Sequence, residues 1–100
     1  PRAMKYAETA YELQPRNPAI EDTLAMLLLD AGKTPRAIEL LQCAATQAPD
    51  SPEISYHLAK AFAKAGERDK AKTLIERVLA SGKTFSEESE ARELLAQLKK

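Results

Sequence analysis

Apolar residues recur at three- and four-residue steps along most of the chain, and Pro, Gly, Asn and Ser break the pattern at intervals. This spacing predicts six helices. The first covers residues 2–13, with Tyr6, Ala7, Ala10, Tyr11 and Leu13 as candidates for its buried side. Pro15 and Pro18 bracket a turn in which Asn17 can cap a second helix and Pro18 can take its first position. That helix carries Ile20, Leu24, Leu27 and Leu28 and runs to Ala31, where Gly32 can adopt a left-handed cap. Thr34-Pro35 repeats the cap-then-proline start for a third helix ending near Ala48, and Ser51-Pro52 does so for a fourth ending before Gly66. A fifth spans residues 68–81 and stops at Gly82. Ser86 opens the last, with Glu87, Glu88 and Glu90 at the end where the macrodipole favours negative charge, and Lys99 and Lys100 at the other.

The pattern occurs twice, 34 residues apart. Pro18–Asp50 overlays Pro52–Lys83 without a gap: Leu24 falls on Leu58, Ala25 on Ala59, Gly32 on Gly66, Ala37 on Ala71 and Leu41 on Ile75. Half of an earlier unit precedes them, since Tyr11–Pro15 falls one period before Ala45–Pro49. A period of this size is that of an α-solenoid. The expected fold is all-α, an α-α superhelix, whose right hand is what the resemblance given below implies. Its parts are the second helix of a truncated repeat (2–14), repeats at 18–51 and 52–85, and a capping helix at 86–100 that departs from the spacing. The alanines explain the stacking, because bulky side chains there would hold neighbouring helices beyond the usual separation of about 8–10 Å. Leu24 or Leu58, Leu28 or Phe62, and Leu41 or Ile75 would fill the space around those close approaches.

Composition narrows the function. An apolar fraction of 44% with 30% charged residues is that of a folded domain rather than a disordered tail. Fifteen Lys plus Arg balance fifteen Asp plus Glu, so no net positive field draws the chain to nucleic acid or an anionic membrane. The balance is local as well: residues 18–51 sum to −3 and residues 52–85 to +3. The single Cys43 permits no internal disulfide, and no apolar run approaches the roughly 20 residues of a membrane span. Beginning at Pro1 within a repeat, the chain reads as an excerpt of a longer protein.

Little in the sequence suggests covalent chemistry. His57 has no ligand set at metal spacing beside it, Glu53 being the only acid at i−4. Cys43 lies on another helix, with no third residue to orient a nucleophilic pair. Gly-Lys-Thr occurs at 32–34 and 82–84, but Leu27 and Arg77 stand where a phosphate loop needs glycine. Both sites therefore read as turns. Arg68, Lys70, Lys72 and Arg77 are interleaved with Asp69 and Glu76 and lack stacking aromatics, which argues against nucleic acid. No catalytic residue, metal site or cofactor is expected.

The order Leu24, Ala25, Leu28, Ala37, Leu41, Ala44, Pro49, then Leu58, Ala59, Phe62, Ala71, Ile75, Val78, resembles the tetratricopeptide repeat. Glu21 and Ser55 replace its common aromatic, and the second unit lacks the terminal proline. A narrower resemblance is carried by Asn17-Pro18, Asp50-Ser51-Pro52, Tyr56-His57-Leu58-Ala59 and Ala80-Ser81-Gly82-Lys83. It is to the C-terminal repeats of large bacterial proteins associated with envelope, exopolysaccharide or protein-sorting systems, some of them lipoproteins. That likeness implies a bacterial source and a periplasmic or outer-membrane-associated location; without it the expected location is cytoplasmic.

The family geometry implies that the first helix of each pair lines a concave groove. The groove would comprise Asp22, Thr23, Met26, Leu29 and Asp30 in one unit, and Glu53, Tyr56, His57, Lys60, Ala63 and Lys64 in the next. Such a groove implies a non-catalytic scaffold for a protein or peptide partner, with Tyr56 as anchor and no direct contact with nucleic acid or membrane. The Lys/Asn clamp by which some members grip a C-terminal carboxylate is not matched, since Asp22 and Met26 stand at its places. The alternative is a structural segment of a longer array, self-associating through the face of the first helix.

Overall fold

The computed structural model describes residues 2–100, and Pro1 lies outside the described residues. The helices are α1 (Arg2–Leu13), α2 (Pro18–Asp30), α3 (Thr34–Gln47), α4 (Pro52–Lys64), α5 (Arg68–Ala80) and α6 (Glu88–Leu98). No strand occurs among the described residues. Asn17 Oδ1 accepts from the backbone N–H of Ala19 at 3.0 Å and of Ile20 at 3.3 Å, and Ser51 Oγ accepts from Ile54 N–H at 3.3 Å. Each satisfies donors that the first turn leaves open. Thr34 departs from this pattern. It lies inside α3, Lys33 occupies the cap, and no side chain bonds to that helix start.

Two helix ends are built alike. Gly32 and Gly66 both adopt φ of 83°, where a side chain would be strained. Lys33 N–H then reaches back to Leu28 O at 2.8 Å, and Glu67 N–H to Phe62 O at 2.9 Å. The turn reverses the chain within three residues, so α2 lies against α3 and α4 against α5 as antiparallel pairs.

Close packing follows from the small residues. Ala25, Ala37, Ala59 and Ala71 are fully buried at the pair contacts, surrounded by Leu24, Leu28, Leu41, Leu58, Phe62 and Ile75, all buried. On α1 only Ala7 is buried; Tyr6 and Leu13, expected on its inner side, are exposed. The reason is that α1 packs chiefly on α2, and α3 reaches it through Arg36 at the Tyr11 ring.

The contacts between non-consecutive helices give the stack its curvature. The backbones of α2 and α4, and of α4 and α6, come close, whereas those of α1 and α3, and of α3 and α5, do not. The line α2–α4–α6 is therefore the short inner edge and α1–α3–α5 the splayed outer one, in a body of 38 × 25 × 20 Å. α6 touches α5 and α4 as α4 touches α3 and α2. It takes the place of the first helix of a third pair, beginning 36 residues after α4 where α4 begins 34 after α2. Arg68 secures its far end, one guanidinium nitrogen donating to the carbonyls of Gln97 and Leu98 at 3.1 Å each.

Candidate partner-binding face

On α2 one stripe holds Ala19, Thr23, Met26 and Asp30, spaced i, i+4, i+7, i+11, with Met26 also packed against the core. One period on, α4 presents Glu53, His57, Lys60 and Lys64, and α6 adds Ser89, Glu93 and Ala96. These stripes lie along the inner edge and form the open concave surface. Thr23, Asp30 and Lys64 are exposed there, while Met26, Glu53 and Lys60 are half-buried. Lys60, Lys64, Asp30 and Glu93 make no ion pair among the described residues. Thr23 spends its hydroxyl on its own helix, donating to Ala19 O at 3.0 Å.

Four of the expected groove residues do something else. Leu29 is 1% exposed and Tyr56 4%, so neither is open to a partner. Asp22 and Tyr56 are one period apart, as are Leu29 and Ala63, and this flank of each first helix turns toward the next one along. Tyr56 is covered from α6: it packs with Ala91, Leu94 and Leu95, and its ring lies 6.2 Å from that of Phe85. Burial pushes its phenol above the usual range, and Glu87, Glu90 and Glu93 nearby push it the same way. Leu29 sits in the main cluster with Leu58, Ala61 and Phe62. Both are core residues.

Asp22 and His57 meet each other. His57 Nδ1 lies 2.7 Å from Asp22 Oδ1, and Nε2 lies 2.7 Å from Glu87 Oε1. A carboxylate only accepts, so both contacts are satisfied together when both ring nitrogens carry a proton, as the imidazolium does. Burial is the largest influence on the ring and disfavours that charge. The bonds and fields of Asp22 and Glu87 together outweigh it and raise the His57 pKa. Three consecutive inner helices are thus tied at one point, through α2, α4 and the residue that precedes α6. Glu87 was legible in the sequence only as a charge favourable to a helix start.

Cys43 is exposed and lines the outer groove between α1 and α3, apart from His57, so the two do not form a nucleophilic pair. Among the described residues no group of three or more His, Cys, Asp or Glu side chains is arranged to hold a metal ion. No described helix is long and apolar enough to cross a membrane.

The family model for the tetratricopeptide repeat matches residues 28–98. Among solved structures, the chain is similar to the crystal structure of MamA with a TM-score of 0.79 at 21% identity, over 95% of this chain and 54% of that one. It is similar also to the crystal structure of PcrH in complex with the chaperone binding region of PopD, with a TM-score of 0.80 at 17% identity, over 96% of this chain and 75% of that one. The chain thus spans about half the length of the MamA chain. At these identities the likeness concerns the fold. A search of curated proteins gave no match.

Proposed function

The chain belongs to the tetratricopeptide repeat family, and from that premise we propose that it is a non-catalytic scaffold whose inner edge holds an extended segment of a partner protein. The observation that carries this reading is the concave surface itself. Among the described residues it keeps Lys60 and Lys64 free of ion pairs beside the half-buried Met26, with Asp30 at the position on α2 equivalent to Lys64. The similarly folded PcrH, solved in complex with the chaperone binding region of PopD, supports a segment of a protein as occupant. The preferred segment carries acidic residues over α4 and an apolar residue over Met26. Its charges set orientation and on-rate more than affinity.

A displayed library of extended peptides, selected on this chain, tests the reading. Selected sequences should be rich in Asp and Glu, should bind with the C-terminal carboxylate amidated, and should lose at least tenfold in affinity to Lys60→Glu. Peptides that bind Lys60→Glu and Lys64→Glu as tightly as the parent would remove the concave surface from consideration. The structural alternative, a segment of a longer array, would then stand. The likeness to bacterial envelope-associated proteins adds a periplasmic or outer-membrane setting to the proposal, resting on the sequence wording alone.

A further inference from the structure

The splay of the outer helices opens a groove of about 760 Å³ between α1 and α3, on the side of the molecule away from the concave surface. Its walls include Tyr11, Glu39, Gln42, Thr46 and Gln47, with Arg16 at the turn. Lining it from α2 is Glu21, at the position where the repeat pattern has its common aromatic. A carboxylate stands there in place of an apolar ring.

Glu21 is 2% exposed, yet no cation lies within 4 Å of it among the described residues. Gln47 Nε2 donates to Oε1 at 2.7 Å, and among the described residues this is the only hydrogen bond to the carboxylate. Oε2 has no protein partner among the described residues, and it is not sealed in, since none of the described buried side-chain oxygens is unbonded. Glu21 itself lines the groove. Burial pushes the Glu21 pKa up, against the opposing hydrogen bond from Gln47, as expected for a carboxylate without a counter-charge. A buried acid in this state gains most from a cation that enters the groove.

The groove also shows what shape of cation its wall accepts. The guanidinium of Arg36 lies 5.8 Å from the centroid of the Tyr11 ring and pairs with Glu39 at 3.4 Å. It is thereby engaged with Tyr11 and Glu39 and makes no ion pair with Glu21. A planar cation against Tyr11 with its edge on a carboxylate is the arrangement this chain already makes once.

We propose that the groove between α1 and α3 is a second binding site, which takes an arginine side chain of a bound protein segment onto the Glu21 carboxylate. This goes beyond the concave-surface reading and does not depend on it, because the two sites lie on opposite edges of the stack. The segment would cross the outer face while the inner edge remains open, so the two occupants need not compete.

The probe is N-acetyl-arginine amide, titrated into the ¹⁵N-labelled chain, with N-acetyl-citrulline amide as the uncharged isostere. Saturable shifts at Tyr11, Glu21, Gln42 and Gln47 with the arginine amide, and none with citrulline, are expected. Glu21→Gln keeps an oxygen to accept from Gln47, so it should melt as the parent does while binding the arginine amide at least tenfold more weakly. Tyr11→Leu, on the partly exposed wall, should weaken it as well and serves if Glu21→Gln does not fold. Equal responses to arginine and citrulline, or undiminished binding by the variants, would overturn the site. So would the absence of any saturable shift, because Arg16 or solvent then satisfies Glu21. A failure of Lys60→Glu to alter peptide binding at the inner edge would leave these readouts untouched.

Discussion

At His57 a single proton decides how many helices are joined. With the ring charged, Nδ1 donates to Asp22 and Nε2 to Glu87; with it neutral, one nitrogen presents a lone pair to a carboxylate at 2.7 Å. Because the folded pKa is raised above the ordinary 6.5, folding favours the protonated ring. The bridge therefore contributes fully below about pH 6.5, where folded and unfolded chains both carry the proton. Its contribution is lost as pH rises through the raised folded value. Denaturant midpoints should fall over that alkaline interval, and His57→Gln should abolish the fall while costing about 1.5–3 kcal/mol at neutral pH. A flat midpoint across the interval in the parent would mean that the ring is neutral in the folded state. Nothing in the sequence announced this bridge. Asp22 and Glu87 lie 35 residues before and 30 after His57, and only the approach of the inner helices brings them to it.

Within the helices, legibility depends on which neighbour a face meets. The face turned to the partner in the same pair follows the amphipathic period, so Leu24, Leu28, Leu58 and Phe62 were readable, as were the alanines that let the pair close. Caps made by a side chain on its own helix were readable at Asn17 and Ser51 and misleading at Thr34, where the helix starts one residue early. The flank turned to the next repeat is a third face beyond core and solvent, and a single period cannot separate it from the open groove. That is why Tyr56 and Leu29 read as partner-facing residues and are core. Two substitutions distinguish the faces. Tyr56→Ala should cost about 3–5 kcal/mol, as for other buried aromatics. Ala59→Leu should cost about 1–3 kcal/mol by overpacking the α4–α5 contact. A Tyr56→Ala chain that melts with the parent would put Tyr56 back on the surface.

Across the whole molecule the stack is a one-dimensional arrangement, each helix held chiefly by its neighbours in sequence. Stability then grades along the axis. α1 rests chiefly on α2, with Tyr6 and Leu13 exposed, while α3 is packed between α2 and α4, and α4 touches α2, α3, α5 and α6. Native-state amide exchange should accordingly be fastest in α1 and slowest in α3 and α4. α6 should be intermediate, since it has α5, α4, the Arg68 bonds to its last carbonyls and the Glu87–His57 contact at its start. Glu87→Gln removes the charge at that contact and leaves the Arg68 bonds in place, so it should speed exchange in α6 and the Tyr56 segment of α4. Protection in α1 should not change, because α1 touches neither α4 nor α6. Equal acceleration in every helix on Glu87→Gln would show instead that all six open as one cooperative unit, and the gradient along the axis would not exist.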